Sequence, residues 1–315
     1  MIDKTQILQL LTDVSFETLA KVADNVRRKT HGDVVHLRAI IEFSNYCKCN
    51  CLFCGIRRDN RKLTRYRMTE KEIVELACDA VNAGFKTVVL QSGEDPFWSV
   101  KKLSKVVREI KKFDVAVTLS VGELSYKDYA MLREAGADRY LLKFETSDKK
   151  LFKALKPDTT FEKRVQCLKW LKELGYETGS GVIVGLPGQT LESLAEDIIL
   201  MKELELDMLG VGPFIPHPET PLKDAPIGNP LITLKTLAIM RILLPKANIP
   251  ATTALRTISP ELGIKALQAG ANVVMPDITP EKYRTFYEIY PGKGQSKGSY
   301  EFWKNFLNSI GMTGC

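Results

Sequence analysis

Residues 35–54 read Val-His-Leu-Arg-Ala-Ile-Ile-Glu-Phe-Ser-Asn-Tyr-Cys-Lys-Cys-Asn-Cys-Leu-Phe-Cys. An aliphatic, β-branched run from Val35 to Phe43 has the composition of a strand. It gives way at once to four cysteines within eight residues, Cys47 to Cys54. A loop rich in chemistry is therefore attached to the C-terminal end of a strand. Outward from this stretch the chain repeats the same plan: a short β-branched run, a polar or glycine-rich junction, then a longer segment of helical periodicity.

Upstream, Ser15 to Arg28 reads as an amphipathic helix with Leu19, Val22, Ala23 and Val26 on one face. Downstream, a helix is expected from Thr69, where Thr69 and Glu72 are spaced for a capping box. Further strands are expected at Lys86–Gln91, Val115–Val121, Arg139–Phe144, Gly179–Val184, Met208–Gly212, Pro250–Ala254 and Asn272–Met275. Between them fall helices at Val100–Lys112, Ser125–Ala135, either side of Lys156–Pro157, Leu191–Leu204, Thr233–Leu244 and Pro260–Gln268. After Tyr290, a loop containing Pro291, Gly292, Gly294, Ser296 and Gly298 leads to a last helix near Tyr300–Ile310. Eight strands, each followed by helical sequence, predict an α/β fold of the (β/α)8 TIM-barrel type, or an incomplete version of it. The expected division is an N-terminal helical extension over 1–34, a barrel over 35–290 and a C-terminal cap over 291–315, together one domain.

The junctions after the strands collect polar residues: Ser92–Gly93–Glu94, Gly122–Glu123, Glu145–Thr146, Gly185–Gly188, Pro213–Pro218 and Thr252–Thr253. Active sites of barrels lie at that end. The alternative is that these are turn residues only. A carboxylate after three successive strands favours a site.

Composition narrows the class. The chain has 315 residues, 44% hydrophobic and 26% charged, which suits a globular protein and rules out a wholly disordered or collagen-like chain. No apolar run approaches the roughly 18 residues of a membrane span. Met1 to Leu11 mixes Asp3, Lys4 and Gln6 with apolar side chains, unlike a secretory signal, so a cytoplasmic location is expected. A net charge of +7 is mild and accommodates anionic ligands. Arg57, Arg58, Arg61, Lys62, Arg65 and Arg67 form a basic run with only Tyr66 available for base stacking, so no nucleic-acid partner is expected. His31, His36 and His217 are isolated. No Ser-His-Asp pattern, P-loop or Rossmann fingerprint is present.

Seven cysteines, four of them crowded together, do not suit a disulfide framework and point to metal or redox chemistry in a reducing compartment. Through Cys47, Cys51 and Cys54 the loop is C-x3-C-x2-C. Three thiolates hold three irons of a cubane and leave the fourth iron open to a substrate or cosubstrate. A zinc site on Cys47, Cys49, Cys51 and Cys54 is the alternative, but structural zinc usually joins two separate knuckles and no second one exists here. Cys49 is then a bystander. Cys78 and Cys167 fall in helices as small buried side chains, and Cys315 ends the sequence without a reading.

A C-x3-C-x2-C loop after the first barrel strand resembles the radical S-adenosylmethionine (SAM) superfamily. The resemblance implies one 4Fe–4S cluster on Cys47, Cys51 and Cys54, with SAM chelated to the open iron and cleaved to a 5′-deoxyadenosyl radical. By position, Phe53, Gln91, Ser92, Gly93, Glu94, Glu145, Arg164, Ile183 and Tyr287 are the implied SAM contacts. Ile40–Asn45, Cys54–Asn60, Leu90–Pro96, Tyr176–Gly179, Gly185–Thr190, Gly212–Pro218, Asn248–Thr253 and Gly270–Pro276 further resemble the HydE family of FeFe-hydrogenase maturation enzymes. That similarity spans nearly the whole chain; methylornithine synthase and biotin synthase are more distant relatives.

The HydE resemblance implies a substrate cavity lined by Met208, Thr252, Thr253 and Met275; Arg139 and Lys143 on the fourth strand are candidates to bind the carboxylate of an amino-acid substrate. It implies an organometallic iron–cysteine substrate carrying carbon monoxide and cyanide, a flavodoxin- or ferredoxin-type electron donor, and other maturation proteins as partners. A paralogue that rearranges an amino-acid skeleton, as methylornithine synthase does, is the second enzymatic reading. A non-catalytic iron–sulfur carrier is the rival of another class. Two departures stand out. Between Pro291 and Gly314 there is no cysteine for a second cluster. Lys143-Phe144-Glu145 also replaces an Arg-His-Glu of characterised members.

Overall fold

The computed structural model describes residues 2–295 and 298–315; Ser296 of the expected C-terminal loop lies outside them. Two helices, α1 (Lys4–Thr12) and α2 (Phe16–His31), precede β1 (Val34–Leu37) and β2 (Ala39–Ser44). The chain continues through α3 (Glu70–Asn82), β3 (Thr87–Ser92), α4 (Val100–Ile110), β4 (Ala116–Ser120), α5 (Tyr126–Glu134) and β5 (Arg139–Leu141). Then come α6 (Lys149–Leu155), α7 (Phe161–Glu173), β6 (Glu177–Val184), α8 (Leu191–Glu203), β7 (Met208–Pro213) and α9 (Pro230–Leu243). The last elements are α10 (Thr253–Ile258), α11 (Pro260–Gln268), β8 (Val273–Val274), α12 (Glu281–Arg284), α13 (Tyr300–Ser309) and β9 (Thr313–Gly314).

Strands β2 to β7 pair in sequence order, every pair parallel. Parallel neighbours need long crossovers, and helices supply them. The ring closes through single bridges: Met208 to Asn248, Pro250 to Val273, and Ile40 to Asp277. Backbone bonds of 2.9 Å from the N–H groups of Leu209, Ala251 and Ile40 to the carbonyls of Asn248, Val273 and Pro276 carry this closure. All six residues of β2 are buried. The barrel interior lies on one face and the helical layer on the other, so the alternation of a half-exposed strand is absent.

Three expectations need correction. The run Val35–Phe43 is two strands, not one: it breaks at Arg38, and β1 pairs with β8 and β9 in a separate three-stranded sheet. The seventh strand expected at Pro250–Ala254 is reduced to bridges at 248 and 250. Pro250 has no N–H to give a ladder, and Thr252 is already the N-cap of α10. The N-terminal extension holds two helices rather than one, because Asp3 and Gln6 form a capping box for α1. No helix among the described residues is long and apolar enough to cross a membrane.

The capping box expected at α3 is present. The Thr69 N–H donates to Glu72 Oε2 at 2.8 Å, and the Glu72 N–H donates to Thr69 Oγ1 at 3.2 Å. The same carboxylate accepts from Lys282 at 3.0 Å and Tyr283 at 2.8 Å, tying α3 to α12. Burial alone would raise the Glu72 carboxyl, but these bonds outweigh it and hold it down at about 2. A carboxyl held below its unfolded value stabilises the fold above about pH 4.5 and loses that contribution as the pH falls towards 2. Glu72→Gln should therefore destabilise the apo chain by about 1 kcal/mol at pH 7, with the gap narrowing in acid. Urea unfolding at a series of pH values measures it; a gap independent of pH would contradict the assignment.

Candidate active site

The C-terminal ends of the strands open into a cavity of about 370 Å3 that runs down into the barrel. Cys47, Cys49, Cys51 and Cys54 all line it. The loop that carries them has no regular structure and is held by backbone bonds to neighbouring strand ends. The Lys48 N–H donates to the Glu94 carbonyl at 2.9 Å, Gly93 to Ser44 at 3.1 Å, Leu52 to Leu155 at 2.9 Å, and Gly55 to Ile289 at 2.9 Å. Gly93 is required by this contact: a Cβ there would lie 2.3 Å from the Tyr46 carbonyl oxygen and 2.7 Å from Cys47 Cβ. At Gly122, φ is +89° and a Cβ would meet Glu94 Cγ at 2.0 Å, so that glycine leaves the space Glu94 occupies.

The thiols differ electrostatically. A hydrogen bond from the Cys49 thiol, opposed by burial and helped by the Cys49 N–H, brings Cys47 down to about 7. Burial pushes the Cys51 and Cys54 thiols up. Lys156 Nζ lies 3.5 Å from Cys51 Sγ. Among the described residues, no three His, Cys, Asp or Glu side chains converge on one ion-sized point, as a tetrahedral zinc site requires. A cubane takes each thiolate on a different iron, and Cys47, Cys51 and Cys54, which line one cavity, are the donor set that would hold it. Inside the cavity, the Thr252 and Thr118 hydroxyls and Arg38 Nε are buried without hydrogen-bond partners.

Of the residues expected to contact SAM, Phe53, Gln91, Ser92, Gly93, Glu94, Glu145, Arg164, Ile183 and Tyr287 all line the cavity. Glu145 follows β5 with φ at +69°, a left-handed conformation uncommon outside glycine. Its N–H donates to the Gly181 carbonyl at 2.9 Å, and its carbonyl accepts from the Ile183 N–H at 3.1 Å. The strained backbone is thus clamped by β6, and it aims the carboxylate inward. Arg164, buried on α7, pairs through Nε with Glu123 Oε1 at 2.8 Å and donates to the Lys143 carbonyl at 3.1 Å. Burial would raise Glu123, but Arg164, Thr159 and Lys163 hold its carboxyl below the ordinary value. Gln91 Nε2 donates to the Tyr287 hydroxyl at 3.3 Å.

Met208, Thr252, Thr253, Met275 and Lys143 line the same cavity. Arg139 does not. It sits at the N-terminal start of β5, away from the strand ends, and pairs with Glu177 at 2.6 Å. Lys143 Nζ lies 2.8 Å from Glu145 Oε2. Phe144, between them, points outward and packs edge-on to Phe161 of α7 at 6.4 Å. Phe144 therefore serves the helix interface, while Lys143 and Glu145 line the cavity.

Several cavity residues carried no signal in the sequence. Arg38 is buried, with Nη1 3.1 Å from Met208 Sδ. Burial and Arg139 lower its guanidinium to about 10. Lys293 and Tyr290 reach the wall from the C-terminal segment, where Lys293 pairs with the buried Glu42 and lies 3.6 Å from Asp277. Lys156, at the break between the two helices expected around Lys156–Pro157, also lines the cavity. A separate cavity of about 450 Å3 under α13 is walled largely by apolar and aromatic side chains and carries none of these carboxylates.

Residues 41–201 match the sequence profile of the radical SAM superfamily. The FeFe hydrogenase maturase subunit HydE of Thermotoga maritima is 58% identical over 88% of this chain and 80% of its own length. The 3-methylornithine synthase of Methanosarcina acetivorans is 33% identical over 86% of this chain and 77% of its own. Among solved structures, methylornithine synthase superposes with a TM-score of 0.88 over 100% of this chain and 94% of its own, at 28% identity. The maturase HydG shares the fold, with a TM-score of 0.84 over 99% and 72% of the two chains at 18% identity. With the barrel, the cysteine loop and these relationships together, the chain is a radical SAM enzyme and belongs to the HydE family of that superfamily.

Proposed function

We propose that this enzyme acts in the maturation of FeFe hydrogenase, in the cytoplasm, on an iron–cysteine complex carrying carbon monoxide and cyanide. The observation that carries the reading is the composition of one cavity: four free thiols, the ionic side chains of Glu94, Glu145, Lys143 and Arg164, and the thioethers and hydroxyls of Met208, Met275, Thr252 and Thr253 share its wall. The 58% identity to a HydE maturase supports it. The superfamily works with a 4Fe–4S cluster and SAM, and we assign this chain one cluster, on Cys47, Cys51 and Cys54. When bound, the cluster and SAM supply one-electron reductive cleavage to methionine and a 5′-deoxyadenosyl radical, the electron coming from a flavodoxin- or ferredoxin-type donor.

The chain's own residues bind, orient and exclude water. The segment Ser92–Gly93–Glu94 borders the cysteine loop, and it presents acceptors to the SAM amine. Arg164 offers its guanidinium to the SAM carboxylate, while Glu123 keeps it in place. Glu145 faces the sugar hydroxyls or the sulfonium, held by its strained backbone and by Lys143. Phe53 and Ile183 supply apolar contacts to the adenine, and Tyr287 with Gln91 walls the cavity between. Met208, Met275, Thr252 and Thr253 line the substrate end. Soft thioethers and small hydroxyls suit a polarizable metal complex. An interior this enclosed shields a radical from water and limits its approach to one direction.

Removing one charge-assisted contact typically costs about 1.5–3 kcal/mol, roughly 10- to 100-fold in affinity. Glu145→Gln and Arg164→Ala should each weaken SAM binding by that order in titrations of the reconstituted protein; wild-type affinity in both would show that neither meets SAM.

The substrate is tested by turnover. The reduced protein should cleave SAM slowly alone. With an iron–cysteine dicarbonyl cyanide complex it should turn over and yield an adenosylated or carbonyl-bridged iron product, followed by electron paramagnetic resonance and mass spectrometry. Free lysine, ornithine and cysteine run in parallel should be inert. A radical on a free amino acid, with the iron complex inert, would replace this reading with amino-acid rearrangement. No SAM cleavage under any condition would favour a carrier.

A further inference from the structure

Lys156 stands where α6 ends against the cysteine loop. The residues on either side of it are bonded to that loop: the Leu155 carbonyl accepts from the Leu52 N–H at 2.9 Å, and the Asp158 side chain accepts through Oδ2 from the Asn50 N–H at 2.5 Å. The residue's place beside the thiols is thus set by one main-chain and one side-chain contact flanking it. Its side chain is buried, at 9% exposure. Nζ lies 3.5 Å from Cys51 Sγ and 5.5 Å from the centroid of the Phe53 ring. Among the described residues, its one side-chain hydrogen bond is to that sulfur, and no carboxylate stands within ion-pair distance. A buried ammonium needs a negative partner, and here the partner on offer is a cysteine sulfur. The face of Phe53 adds an attraction of lesser size.

We propose that Lys156 is a positioning residue that raises the reduction potential of the cluster assigned to Cys47, Cys51 and Cys54; the inference rests on that assignment. Reduction adds one electron from a low-potential donor to a cluster already bearing thiolate charge. A fixed cation within hydrogen-bond distance of a ligand sulfur stabilises the more negative, reduced form. Net charge and hydrogen bonds to sulfur are the levers by which a protein sets such potentials. Lys156 therefore eases the step that must precede SAM cleavage, without itself touching SAM or the substrate.

The test is a redox titration of the anaerobically reconstituted full chain without SAM, read by the paramagnetic signal of the reduced cluster. Lys156→Met keeps the length and removes the charge. At a fixed potential its reduced-to-oxidised ratio should fall at least about ten-fold, which for one electron corresponds to 59 mV. Lys156→Arg should stay near wild type. Should the methionine variant lose its cluster, Lys156→Gln, which keeps N–H donors without charge, must show a fall in the same direction. A loaded Lys156→Met or Lys156→Gln with the wild-type midpoint would overturn the inference. A wild-type chain that takes up no cluster would instead overturn the assignment beneath it.

Discussion

Three thiols must be presented to one cavity by a loop that has no ladder of its own. That requirement organises this molecule. A barrel strand can aim a side chain by its pleat, but residues 45–68 have no pleat, and their geometry comes from borrowed hydrogen bonds. Those bonds come from four other places on the rim: the end of β2, the turn after β3, the end of α6 and the C-terminal segment near Ile289. Close backbone approach makes them possible, which is why a glycine stands at 93. The cysteine loop is therefore only as ordered as the closed barrel beneath it, and damage to barrel closure should reach the thiols first.

The same closure places the charged residues. Glu94, Glu145 and Arg164, from stave ends and from α7, converge on the cavity because the staves are parallel and in register, and Glu123 joins them through its pair with Arg164. Their charges are arranged as a chain, from Lys48 to Glu94 and from Lys143 to Glu145, with Glu123 paired to Arg164. A buried arginine with a single carboxylate partner retains donors for a second anion, which is what a SAM carboxylate supplies. Charge in the cavity is thus balanced but not saturated. Met208, Met275, Thr252 and Thr253 add soft and neutral groups to the same wall.

Much of this was legible in the amino-acid sequence, for a physical reason. Buried parallel strands are continuous β-branched runs, and amphipathic helices repeat every three to four residues, so the alternation of the two is visible without any contact map. The cysteine spacing and the strand-end carboxylates were equally visible, since each lies at a fixed offset from a run. What was hidden depends on long-range pairing. Nothing local says that Val34–Leu37 will leave the barrel and pair with the last residues, or that Pro250 will reduce a strand to a bridge. Lys156 and Lys293 carry no local signal of burial, yet both are buried, because burial is decided by what packs over them. Arg139 shows the converse: it was placed on the right strand at the wrong end. Phe144 was a puzzle in sequence and is none in the fold, because its side chain lies on the outer face of its stave.

The central claim is that Cys47, Cys51 and Cys54 hold one cubane whose fourth iron is free for SAM. Mössbauer spectroscopy of the anaerobically reconstituted, iron-57-enriched protein tests it directly, recorded before and after SAM is added. The account predicts one cluster's worth of iron per chain and a change confined to one of its four irons on addition of SAM. Four irons indifferent to SAM, iron for two clusters, or stoichiometric zinc in place of iron would contradict it.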